Sequence, residues 1–221
     1  MSNRATMTEA IGNGISQRLK LLNTQTPGYV LKFDPETQLA ELQVSIERID
    51  KNGKSSKWSP IIRCPVQFGG GNEFHIEHQI DIGDEGIIEF SQRCIDAWVD
   101  QGGVAPQSII QFHDMNDAMF VPGLRSQPNK ISDFKNDGVR IRNKSGSQEI
   151  WVKNDESISM KNSSGYINLL PDGRVDINGL IIDTSGNATT ASGISLDEHG
   201  HQPGTYNVSG TPVTGEAGDP T

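Results

Sequence analysis

Beyond Gly138 the hydrophobic positions fall into pairs two residues apart: Val139/Ile141, Ile150/Val152, Ile158/Met160, Ile167/Leu169, Val175/Ile177 and Ile194/Leu196. Polar, turn-forming stretches separate them, among them KSGSQE, KNDES, KNSSGY and LPDGR. Residues i and i+2 of a strand share a face. Each pair therefore predicts a short strand with two apolar side chains on one side, and their recurrence predicts a structural repeat over residues 138–196. Two apolar residues per strand cannot offset the ordering of a lone chain, which costs ~1–2 kcal/mol per residue for the backbone alone. The rhythm thus predicts several copies wound about one axis, each face a stack of strands from different subunits, with the pairs filling a central column. A threefold wrap is the simplest closed solution, and about seven strands ~4.8 Å apart would give a rod on the order of 35 Å long. The plainer alternative is a β-sandwich continuing the preceding segment, although sandwich strands are longer and richer in aromatics.

Upstream, the pattern changes twice. From Met1 to about Thr26, Ile11, Ile15, Leu19 and Leu22 recur at helical spacing behind a capping candidate, Thr8. This predicts a short amphipathic helix, weakened by Gly12 and Gly14, that is either a frayed leader or a docking helix for a larger partner. From Pro27 to about Arg125, the stretches YVLKF, LAELQVSI, IIRCPVQF and GIIEF alternate like strands between turns such as DPET, DKNGKS and DIGDEG. Asn52-Gly53 marks a hairpin tip, and a short helix is expected over residues 96–100. Some five antiparallel strands in this length suggest a small barrel or sandwich, with an OB-type barrel as one candidate. Residues 126–137 read as a linker, and residues 197–221 as a separate, Gly/Pro-rich end that composition alone would call disordered.

Composition sharpens this picture. Hydrophobic residues are only 33% of the 221, with 24 glycines, and the mean hydropathy is -0.49. A single globular core would use more, so an elongated molecule with a thin, shared core is expected. The net charge of -9 argues against a nucleic-acid binder that relies on a positive field. From residue 197 onward there are four acidic residues, Asp197, Glu198, Glu216 and Asp219, and no Lys or Arg. Cys64 and Cys94 stand in apolar contexts without metal-ligand spacing, as reduced core residues of a protein made in a cytoplasm would. No run reaches the ~18 apolar residues of a membrane span, and no hydrophobic signal core is evident, so a soluble protein is expected.

The chain has five histidines, and two of them, His199 and His201, lie one residue apart. In an extended strand both project to one side, so one chain offers two imidazoles to one point. Three chains meeting on an axis would offer six nitrogens, which suits an octahedral transition metal; zinc usually takes four ligands. Taken alone, HxH is weak, since a chance pair on a polar loop is commoner. Here it follows a rod-like repeat. Ile194 and Leu196 are even-numbered inward positions whereas the histidines are odd, so a bulge or turn at Asp197-Glu198 must reset the register. His75, His78 and His113 read as structural or surface residues. No GxSxG, HExxH, P-loop or dinucleotide-binding pattern occurs, and Asp81, Asp84, Glu85 and Glu89 are not paired as acid and base, so no enzyme is expected.

The stretches PIIRCPVQFGGGNEF, IDIGDEGIIEFSQRCIDAWVDQGG and FHDMNDAMFVPGL, ending at Leu124, together resemble the N-terminal OB-fold domain of contractile-tail phage central spike proteins, the baseplate assembly protein V group. The resemblance covers about 65 residues through GDEG-x-x-x-F, IDAW, a GG pair and HD-x-x-DA-x-x-x-PGL. It implies an all-β homotrimer: an N-terminal OB-fold barrel, an intertwined trimeric triple-stranded β-helix, and a small metal-bound apex. It further implies one iron ion per trimer, Fe(II), held by His199 and His201 of each chain. The barrel would dock on the baseplate hub beneath the tail tube of the virion, and the spike would be driven through a Gram-negative outer membrane when the sheath contracts. Relatives with a lysozyme domain differ from this chain, which lacks one. Two other readings stay open from the residues: a trimeric receptor-binding fibre or adhesin, and a mononuclear iron enzyme with Asp197 or Glu198 as a carboxylate ligand.

Overall fold

A computed structural model describes residues 6–20, 22–200, 205–208 and 211–214, the last two segments by backbone alone. The chain divides into two compact units, Met1–Lys130 and Ile131–Thr221.

The first unit opens with helix α1, Met7–Lys20. Its cap is Thr6 and not Thr8. The Thr6 hydroxyl accepts from the Glu9 N–H at 3.3 Å, while a Glu9 carboxylate oxygen accepts from the Thr6 N–H at 2.7 Å. This reciprocal box satisfies two helix-end donors at once, and Thr8 has no such partner three residues on. None of the helix residues is buried, so the stripe of Met7, Ile11, Ile15 and Leu19 is exposed.

Five strands follow: β1 (Gln25–Asp34), β2 (Leu39–Val44), β3 (Ile61–Pro65), β4 (Glu85–Phe90) and β5 (Ala118–Pro122), ordered β3-β2-β1-β4-β5 in one antiparallel sheet. A parallel bridge from Val66 to Phe120 brings the two edges together, so the sheet curls towards a barrel. Strand β4 shows why it folds: Gly86, Ile88 and Phe90 point inward in strict alternation with half-exposed neighbours. Val30, Leu42, Ile61, Cys64, Ile88 and Phe120 form the centre of the core. Gly86 faces Gly28 across β1 and β4, and a Cβ at Gly86 would run into the Phe120 ring. The second glycine of GDEG is thus a packing requirement.

Strand β5 was the one barrel strand not singled out by alternation, because it lies within the loop-like run HDMNDAMFVPGL. The Asn-Gly tip forms as expected between the two-residue strands Arg48–Ile49 and Ser55–Ser56. Helix α2 spans Asp96–Gln101. A further two-residue ladder pairs Gly69–Gly70 with His75–Ile76.

The second unit is a seven-stranded antiparallel meander: β6 (Gly138–Arg142), β7 (Glu149–Lys153), β8 (Ile158–Lys161), β9 (Tyr166–Leu169), β10 (Val175–Ile177), β11 (Leu180–Ile182) and β12 (Ala188–Thr189). Each strand pairs with the next in the same chain. The ladder bonds that the sequence reading placed between subunits are therefore made within one. The cause is turn length. Asn178 and Gly179, with φ of 51° and 90°, form a two-residue turn that can close only on its own flanking strands. The longer turns are also locked locally: Asp183 N–H donates to Asn187 O at 3.0 Å, and Leu170 N–H to Arg174 O at 2.8 Å. Strand β11 was missed because Leu180, Ile181 and Ile182 are consecutive and do not alternate. Ile194 and Leu196 do not form a full strand; Ser195 between them makes a single bridge to Thr189. The Gly/Pro-rich end is not wholly irregular, since β13 (Thr205–Val208) pairs with β14 (Thr211–Thr214).

Candidate functional site

The register of the meander lines up the first five apolar pairs and adds a sixth, Leu180/Ile182, while Ile194/Leu196 stays outside. Val139, Val152, Ile158, Leu169, Val175 and Ile182 are successive cross-strand partners and form one column. Ile141, Ile150, Met160, Ile167, Ile177 and Leu180 form a second column beside it. All twelve share one face, since they alternate with Arg140, Trp151, Ser159, Asn168 and Asp176. On this chain the face is bare: its first eight members are between 37% and 69% exposed. An open groove of about 700 Å³ runs along the second column, beside Met160, Tyr166 and Asn178. A contiguous apolar patch of this kind marks an interaction surface.

The opposite face is ionic at its first strands and partly covered there. Glu149 is buried, with its carboxylate held by Arg140 on one oxygen, Nε at 2.6 Å, and by Lys161 Nζ on the other at 2.9 Å. Arg140 also reaches Asp133 O at 3.3 Å, and Arg142 donates to Ser132 O, so residues 132–133 lie across this face. The Arg140 guanidinium sits 4.8 Å from the Trp151 ring centroid. Burial pushes the Glu149 carboxyl up, but the bonds from Lys161 and Arg140 outweigh it and hold the pKa below the ordinary value. The two faces thus differ, one tied by ion pairs within its own chain and one apolar and open.

At the far end of the meander, residues 196–198 form the turn that the register argument requires. Leu196 N–H donates to Ala188 O at 2.8 Å, and the Ser195 hydroxyl accepts from Glu198 N–H at 3.2 Å. His199 follows, half-buried, with Nδ1 2.7 Å from Leu196 O. A carbonyl can only accept, so Nδ1 carries the proton and Nε2 is the basic nitrogen. That is the tautomer a metal-binding imidazole takes when its other nitrogen is tied to the backbone, so His199 fits the donor set. His201 lies outside the described residues.

The other histidines are not brought together. His75 pairs with Glu77 at 3.2 Å, and the His78 ring packs on Phe68 with centroids 5.2 Å apart. His113, at φ 50°, accepts from Asn23 Nδ2 through its carbonyl at 2.8 Å, while its Nδ1 is buried without a hydrogen bond. One cluster was not anticipated: Cys94, Asp96 and Asp117 converge in the barrel unit. Its chemistry is structural. Asp117 is fully buried, one oxygen accepting from Ile95 N–H at 3.0 Å to start α2 and the other from Gln111 Nε2 at 2.6 Å. The DA pair and the IDAW stretch of the sequence motif are joined by this carboxylate. Cys64 is buried and free, with its thiol pushed up to about 12 by burial, which makes it inert.

Residues 26–123 match the family model described as the phage protein Gp138 N-terminal domain. The match spans the barrel unit from β1 to the end of β5, and it supports a structural, virion-associated role of the phage tail or baseplate type. No curated protein matches the chain.

Proposed function

We propose, taking the phage-type barrel as the premise, that three copies of this chain form the central spike of a contractile phage tail. The observation that carries the reading is the double apolar column left bare on one face of the meander. A sheet of this width, polar and internally clasped on its other face, is stabilised most simply by two further copies. Three such faces close around an axis and exclude water from all of the pairs. The reading of the barrel as OB-type is supported by the strand order β3-β2-β1-β4-β5 with the β3 end bridged in parallel to β5. It departs from the usual plan in placing its helix, α2, between the last two strands.

In this account each part performs a mechanical task. The barrel, with the exposed stripe of α1, attaches to the baseplate hub. The meanders form the shaft, stiff because a continuous ladder runs along every side. Near the tip the column narrows from Ile182 and Leu180 to Ala188, leaving too little apolar surface to hold the chains. His199 and His201 of each chain would take over there by binding one iron ion, which stabilises the assembled state because it binds that state alone. The iron supplies cross-linking and no turnover; the chain's own residues orient the imidazoles and seal the column. Sheath contraction then drives this point through the outer membrane.

Native mass spectrometry with metal analysis tests the reading. A trimer carrying one iron supports it; a monomer sinks it. His199→Ala combined with His201→Ala should leave a trimer without stoichiometric iron, and iron retained at one per trimer would move the ligand assignment elsewhere.

A further inference from the structure

We propose that Asn187 and Ser195 are the positioning residues of the tip, fixing His199 for metal binding without touching the metal themselves. The inference rests on the reading of His199 as a ligand and extends it to residues that no motif marks.

The geometry runs through one peptide group. Asn187 Oδ1 accepts from the Ser195 hydroxyl at 3.1 Å and from the Asp197 N–H at 3.2 Å. The Asp197 N–H can only donate, so the amide oxygen, and not its nitrogen, faces the tip. These two bonds grip the chain on both sides of Leu196. The Leu196 N–H is held by Ala188 O at 2.8 Å, and its carbonyl receives His199 Nδ1 at 2.7 Å. The Ser195 hydroxyl is used in both directions, donating to Asn187 and accepting from Glu198 N–H at 3.2 Å.

Asn187 is itself fixed from behind. Its N–H donates to Asp183 Oδ1 at 3.0 Å and its carbonyl accepts the Asp183 N–H at 3.0 Å. The Asp183 carboxyl is held below the ordinary range, chiefly by the bond from Ser185. A rigid turn of the last regular hairpin thus extends one amide oxygen to a turn that has no full ladder of its own. Without that oxygen, the residues ahead of His199 would keep the Leu196–Ala188 bond and the bonds of Ile194 to Thr190, all of them on the N-terminal side of the Leu196 carbonyl. The imidazole would keep its chemistry and lose its place. Loss of a partner of this kind typically weakens metal binding ~10- to 100-fold.

The test uses the full chain in four forms: unchanged, Asn187→Ala, Asn187→Asp and Ser195→Ala. Each is titrated with Fe(II) under anaerobic conditions against a chelator of known affinity, and separately with Co(II), whose visible bands report ligand geometry. Asn187→Ala and Ser195→Ala should stay trimeric by native mass, bind Fe(II) ~10- to 100-fold more weakly and change the Co(II) spectrum. Asn187→Asp should restore both readouts, since a carboxylate oxygen accepts the same two donors. If the unchanged chain binds tightly and Asn187→Ala binds equally well with the same spectrum, the positioning role is wrong while the tip site stands. If Asn187→Asp is as impaired as Asn187→Ala, the amide oxygen is not the working atom and the proposal also falls. If the unchanged chain binds neither metal, the ligand reading under the proposed function fails, and this inference with it.

Discussion

Ile167 offers the sharpest perturbation of the apolar face. It sits mid-column between Met160 and Ile177, and 41% of its surface is exposed on the single chain. Burying a whole Ile side chain contributes ~1.5–3 kcal/mol. Covering the remaining fraction is therefore worth roughly 0.6–1.2 kcal/mol per chain, or about 2–4 kcal/mol for three chains. Ile167→Ala should weaken trimer association by roughly 30- to 700-fold, at 1.4 kcal/mol per decade. Ile167→Asp should abolish trimers at micromolar concentration, because three carboxylates would face an apolar column without partners. Asn168→Ala, one residue along on the opposite face, should change association by less than threefold. Sedimentation equilibrium gives the constants, and far-UV circular dichroism checks that the sheet persists. If Ile167→Asp remains a trimer of unchanged affinity, the bare face is not the subunit contact.

Other consequences can be checked as directly. Glu149→Ala removes the carboxylate that Arg140 and the half-exposed Lys161 share and should destabilise the second unit by about 1–3 kcal/mol, measured by urea unfolding. Because the Glu149 pKa lies below its ordinary 4.5 in the folded state, its contribution is present above that value and is lost as pH falls through the folded pKa. The gap between the parent and Glu149→Gln should accordingly close in acid. Paired cysteines at the facing positions Ser159 and Asn168 should oxidise to a link within one chain, migrating as a monomer on a denaturing gel; linked dimers and trimers would mean that neighbouring strands belong to different subunits. Gly179→Ala, forced to a φ of 90° in the tight turn, should cost about 1 kcal/mol or more in stability.

Period-two alternation revealed most of the strands because it marks one apolar face, as in β1, β2, β4 and β6 to β10, whereas β3 buries Ile61 and Cys64, three residues apart. Alternation failed where apolar residues run consecutively, as at Leu180–Ile182 and at Ala118–Pro122, the latter directly behind the polar run that ends at Asp117. The path of the ladder was less legible. Apolar pairs tell which face is covered, not which chain supplies the next strand; that information lies in the turns, above all at Asn178-Gly179. At the tip, HxH pointed to His199, but Asn187 looked like any other turn residue. The role proposed for it depends on an amide oxygen that bonds residues eight and ten positions away, and no spacing rule encodes that. The Cys94–Asp96–Asp117 cluster was equally hidden, since Asp117 lies far from the other two in sequence.

Everything in the functional account requires three chains to share one apolar column and one ion at its end. Native mass spectrometry of the purified chain, with its metal content measured on the same sample, addresses this in one step. With a chain of 24.1 kDa, the account predicts a species of about 72 kDa with a single iron; a species at the mass of one chain, or a trimer that holds no metal even when iron is supplied, would contradict it.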